Sequence, residues 1–119
     1  MGRDLTGQNH HITYVEISVT DIERAKGFYG AAFGWTFKDY GPDYCEFFDG
    51  GLQGGFARVE VVTTGGPLLV LCSENLDFSQ RAVEAAGGKI EKPVLEFPGG
   101  KRFYFIDPDG NELAIWTKA

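Results

Sequence analysis

"ITYVEISVTDIERAKGFYGAAFGW", residues 12–35, changes its period halfway along, and that change decides the fold. From Ile12 to Val19 apolar and polar positions alternate. Val15, Ile17 and Val19 share one side, and Tyr14, Glu16 and Ser18 the other, as in a half-buried strand. Thr20 then offers an oxygen to the free N–H groups of a helix start, and Glu23 stands where it closes a capping box. Ile22, Ala25, Tyr29, Ala32 and Phe33 recur at helical spacing, so this stripe is predicted to pack on a sheet. Gly34 follows as a left-handed stop.

The same order returns in "LLVLCSENLDFSQRAVEAAGGKI", residues 68–90. A strand over Leu68–Cys72 precedes a stripe of Leu76, Ser79, Val83 and Ala86, and Gly87 ends the helix. After each helix come three strand-like runs. They are "WTFKDY", "DYCEFF" and "GGFARVEVV" in the first half, and "KIEKPV", "KRFYFI" and "NELAIW" in the second. The turns between them read "GP", "DGG", "PGG" and "DPDG". This is an internal repeat of strand, helix and three strands. The chain is predicted to be one α+β domain, residues 1–119, built from two βαβββ modules over about 10–62 and 66–117. Each half is too small for a good core. The half-sheets are therefore expected to join into one curved mixed sheet, with helices outside and a central cup inside.

Composition narrows the function. A net charge of −6 argues against nucleic acid, whose backbone demands basic patches. The longest apolar run, "PLLVLC", is too short to span a membrane. Cys45 and Cys72 lie in strand-like segments without a C-x-x-C spacing and read as buried, reduced thiols, which fits a cytoplasmic protein. Gly2 with Thr6 matches a loose myristoylation pattern by chance. "GGLQGG", around Gln53, reads as a tight turn, since it lacks the ending and context of a phosphate loop.

The stretches "VEISVTDIERAKGFYGAAFGW", "VEAAGGKI" and "FYFIDPDGNELAIW", with the repeat, make the chain resemble the vicinal oxygen chelate superfamily. That group includes glyoxalase I, extradiol dioxygenases, fosfomycin-resistance enzymes and bleomycin-binding proteins. The resemblance is specific for fold and weak for activity. It implies metal ligands, usually His or Glu, on the first and last strand of each module. At those positions this chain has Tyr14, Leu68, Ala114, and Gly54 or Phe56, so no metal ligand is expected. The adjacent His10 and His11 read as an exposed or capping pair, and Glu112 as rim or solvent.

Strand parity and the resemblance assign the cup lining. Tyr14 carries Glu16 and Ser18 with it, and position 114 carries Trp116. The resemblance turns Tyr104 toward the ligand, with Arg102 on the same face, while Phe48 and Phe56 offer aromatic walls. Arg102 would attract an anion and Glu16 could serve as a base; equally, the two could form a structural salt bridge. The expected function is a glyoxalase/bleomycin-resistance-like protein that binds a small molecule without metal or cofactor, as a homodimer. The alternatives are a metal-independent isomerase or lyase using Glu16, and a non-catalytic interaction module.

Overall fold

A computed structural model describes residues 9–119; the Gly2–Thr6 pattern lies outside the described residues. The order is β1 (Tyr14–Val19), α1 (Ile22–Phe33), β2 (Thr36–Asp39), β3 (Tyr44–Phe48) and β4 (Gln53–Arg58). The second half has β5 (Leu69–Cys72), α2 (Leu76–Ala85), β6 (Lys89–Phe97), β7 (Gly100–Ile106) and β8 (Glu112–Lys118). The α+β fold and the βαβββ repeat are as expected. No helix among the described residues is long and apolar enough to cross a membrane.

The expected sheet is divided in two. Module one orders its strands β1-β4-β3-β2, and module two β5-β8-β7-β6. In each, the first strand runs parallel to the last, while the other neighbours are antiparallel. The ladders stay local because each helix leads to the far edge strand, and the antiparallel meander then brings the last strand back beside the first strand of the same module. What joins the modules is their common core. Ile17, Val19, Phe47 and Phe56 from one sheet and Phe103, Phe105, Leu113 and Ile115 from the other belong to one buried cluster with the helices. The Phe28 ring of α1 lies 6.1 Å from Phe105 of β7. Phe28 is nearly inaccessible and belongs to the α1 stripe that sequence spacing traced without it.

The start of α1 corrects the expected cap. Asp21, extended at φ −143°, is the N-cap and accepts from the Arg24 N–H at 3.0 Å. Thr20 is engaged elsewhere: its N–H and hydroxyl both donate to Asp109 Oδ1, at 2.7 and 2.6 Å. With the cap at 21, Glu23 cannot close a box; it pairs with Lys26 instead, at 2.9 Å. Gly34, at φ 75°, ends the helix as its sequence implied.

"DPDGN" is an inter-module fastening. Asp107 Oδ1 accepts from the N–H groups of Asp109 and Asn111, closing the turn. Its Oδ2 accepts from the buried Tyr29 hydroxyl of α1 at 2.9 Å. The Asn111 side chain donates to the Ser18 carbonyl of β1, also at 2.9 Å. Arg24 completes the Asp109 cluster at 2.6 Å.

Candidate functional site

Strand alternation sends Ile17 and Val19 into the core and leaves Tyr14, Glu16 and Ser18 on the face away from α1. The parallel register sets Gln53, Gly55 and Ala57 beside those three. On β3, Tyr44, Glu46 and Phe48 share that face, because Tyr44 lies opposite Ala57 and Glu46 opposite Gly55. Gly55 has no side chain, and the Tyr44 hydroxyl occupies the space a Cβ would need. That hydroxyl is hydrogen-bonded to the hydroxyl of Tyr14. Burial holds the Tyr44 hydroxyl well above the usual phenol range, and the Tyr14 hydrogen bond and the Glu16 charge add to the effect. Glu46 is inaccessible and accepts from the Tyr40 hydroxyl at 3.1 Å. Tyr40, Tyr44 and Glu46 were missed in the sequence, although the alternation that exposed Phe48 carried Tyr44 and Glu46 with it.

The second sheet has a different open face. Register places Arg102 opposite Trp116 and Tyr104 opposite Ala114, with Phe103 and Phe105 turned to the core. The Arg102 guanidinium carbon lies 4.9 Å from the Tyr104 ring centre and 5.5 Å from that of Phe97. The Lys92 ammonium lies 4.5 Å from the same Tyr104 ring. Phe97 and Trp116 have ring centres 6.4 Å apart. Lys92 and Phe97 could not be read from alternation. The β6 register shifts between Ile90 and Lys92, and again before Leu95.

Between the modules lies an open cavity of about 620 Å³. Glu16 and Ser18 of β1, Thr63 and Leu68 of the connection, and Asn111 and Glu112 of the β7–β8 hairpin line it. Arg102, Tyr104 and Trp116 do not. No ion pair among the described residues joins Arg102 to Glu16, so the structural salt bridge is not formed.

Three sequence readings need correction. Phe56 is not a cup wall: it lies opposite Ile17, fully buried, with its ring 5.1 Å from that of Tyr29 under α1. Gly54 shares that inward face, so the module-one counterpart of Ala114 is neither Gly54 nor Phe56. Val15 pairs with Gly54 as Leu69 pairs with Leu113, so the counterpart one residue on is Gly55. Cys72, at the end of edge strand β5, is exposed; only Cys45 is buried.

A divalent ion does not fit the positions that the resemblance assigns to its ligands. Tyr14 is hydrogen-bonded to Tyr44, Leu68 and Ala114 offer no donor atom, and the space at Gly55 is filled. His10 and His11 are exposed in the segment before β1, and Glu112 is exposed on β8. Among the described residues no three His, Cys, Asp or Glu side chains gather where they could hold a metal.

The profile of the glyoxalase/bleomycin resistance protein/dioxygenase superfamily matches residues 10–115. The chain belongs to that superfamily. It is similar to a glyoxylase-like domain-containing protein of Didymella fabae, 29% identical, with 90% of this chain and 93% of that protein covered. Among solved structures it is similar to a glyoxalase-related enzyme from Fulvimarina pelagi. The TM-score is 0.78 at 24% identity, covering 92% of this chain and 88% of that one. A glyoxalase/bleomycin resistance protein/dioxygenase family enzyme from Burkholderia phytofirmans PsJN gives 0.79 at 22%, covering 90% and 98%. Those two likenesses are of fold. Within the superfamily's scaffold, this chain carries a tyrosine pair on the first sheet and a cation–aromatic cluster on the second.

Proposed function

We propose that this member of the superfamily is a metal-independent small-molecule-binding protein. The observation that carries the reading is the Tyr14–Tyr44 hydroxyl pair lying over Gly55. Aromatic hydroxyls occupy two of the positions where the resemblance implies metal ligands, and aromatic surface with a few directed polar groups suits an organic ligand. Native mass spectrometry of the freshly purified protein, with elemental analysis, tests it. A retained organic molecule supports the reading; about one tightly held transition metal per chain sinks it.

The binding unit is a homodimer. Leu68 at the end of the connection, Val70 on β5, and Val94 and Leu95 on β6 leave substantial apolar area uncovered, the usual mark of an interface. A monomer by sedimentation at micromolar concentration contradicts this. A second reading keeps the same fold as an acid–base isomerase or lyase. It is favoured by Glu16, an exposed carboxylate lining the cavity and acting on the Tyr44 hydroxyl. Glu16→Gln separates the two: loss of turnover with binding retained marks the enzyme.

A further inference from the structure

We propose that the open face of the second sheet is a receptor for a planar, conjugated organic anion. Lys92 and Arg102, packed on the Tyr104 ring, hold its charge, and Phe97 and Trp116 take its flat body. This rests on the small-molecule-binding reading and names the ligand class.

Charge on this face is the first argument. Both cations lie over one tyrosine ring. Neither has an acidic partner among the described residues, in a chain with 17 acidic residues against 11 Lys and Arg. Four other cations are ion-paired: Arg24 with Asp109, Lys26 with Glu23 and Asp39, Arg58 with Glu60, and Arg81 with Asp77. Lys38, Lys89, Lys101 and Lys118 also have no acidic partner among the described residues, but Lys92 and Arg102 are two unpaired cations over one ring. Two like charges beside one ring repel. The negative face of the ring offsets this only in part. An anion seated between them relieves the repulsion and gains from both.

Donor geometry is the second. Arg102 makes no hydrogen bond with any described residue, and its Nε is buried without an acceptor. The guanidinium edge, in a side chain only partly buried, presents a planar fork that matches a carboxylate or sulfonate with two parallel hydrogen bonds. Lys92 acts beside it as a point charge.

Shape is the third. Phe97 lies opposite Gly100, which has no side chain to hold the ring upright, and contacts Arg102 and Trp116 instead. Tyr104, 9% exposed, lies beneath the two cations, so the partly exposed rings of Phe97 and Trp116 border the charged groups. A conjugated body stacks on such rings; inorganic phosphate or an aliphatic carboxylate gains only the charge.

Calorimetric titration of the full chain with 2-naphthoate tests this, beside neutral 2-naphthamide, cyclohexanecarboxylate and inorganic phosphate. Naphthoate is expected to bind at least tenfold more tightly than each of the other three. Lys92→Met and Arg102→Gln are each expected to weaken naphthoate at least tenfold. The ligand-free melting temperature of Lys92→Met is expected to hold or rise, since a repulsion is removed. That readout separates ligand binding from a structural role, and it stands if Arg102→Gln folds poorly. Equal binding of naphthamide overturns the anion class and leaves the binding reading intact. Full naphthoate affinity in Lys92→Met, or no naphthoate binding at millimolar concentration, overturns the proposal. Only the absence of any retained molecule in the native mass spectrum, added to that last result, removes both readings.

Discussion

Tyr29 is wholly buried, and its hydroxyl donates to Asp107, a carboxylate that is 3% exposed. Burial, with the Asp107 charge behind it, holds the Tyr29 hydroxyl well above the usual phenol range. The folded chain therefore keeps a proton that the unfolded chain loses near pH 10, at about the ordinary tyrosine value. Stability from this group is full below that pH and falls above it, by about 1.4 kcal/mol per pH unit. Tyr44 acts in the same sense. Cys45, pushed up to about 11 by burial, adds a loss that starts from the ordinary thiol value of 9.0. Urea unfolding at pH 9, 10 and 11 is expected to show the decline, and Tyr29→Phe to make it shallower. An unchanged slope in Tyr29→Phe refutes the assignment. The two thiols also divide sharply. At pH 8 a thiol-reactive disulfide is expected to label one cysteine of the native chain quickly, and Cys72→Ser to abolish that fast phase. Fast labelling of Cys45 contradicts its burial. The sequence reading of Cys72 failed because an apolar run does not say which strand lies at an edge.

Elements were legible where alternation was unbroken. β1, β7 and β8 each present the face their sequence implied, so Tyr14 with Glu16, and Arg102 with Tyr104, share surfaces as expected. On β4, parity was counted from the turn, whose length was open, and Phe56 came out on the wrong side. On β6 the register shifts break the count, which hid Lys92 and Phe97. The α1 cap failed for a different reason. Thr20 is a good capping residue, but Asp109, 89 positions away, engages it first. No local rule contains that partner. The two acids at this helix start are expected to differ in cost. Asp21→Ala removes one exposed capping bond and is expected to cost about 1 kcal/mol. Asp109→Ala leaves the Thr20 N–H and hydroxyl and one Arg24 bond unmet at a site where the Asp109 side chain is 1% exposed. A cost of about 2–4 kcal/mol is expected from those unsatisfied groups. Chemical denaturation of the two variants ranks them, and an equal or reversed order means that the turn does not fasten the modules.

At the scale of the molecule, two modules with separate ladders share one core. The repeat was legible because helix stops, turns and strand runs recur in the same order. The route by which the modules meet was not, since it depends on which rings touch across them. Phe105 of β7 decides it: fully buried, its ring centre is 6.1 Å from that of Phe28 and 6.0 Å from that of Phe33, both on the other module's helix. Neither module can bury its helix-side face alone, so the chain is expected to unfold in one step. The two tryptophans report on it independently. Trp35 stacks on Tyr29 and Phe47 in module one, at 4.9 and 4.6 Å, and Trp116 sits on β8 in module two. In single-tryptophan variants, Trp116→Phe and Trp35→Phe, each curve should be compared with a second probe, far-ultraviolet circular dichroism of the same variant. The two probes are expected to coincide within each variant. Phe105→Ala, in module two, is expected to cost about 3–5 kcal/mol, the range for emptying a buried aromatic site. Because the core is common, that loss is expected to appear in full at Trp35, in the other module. A Trp35 transition that keeps its midpoint while the Trp116 transition moves would mean two separable folding units. The inter-module rings would then be contacts between finished modules and not the core that makes them.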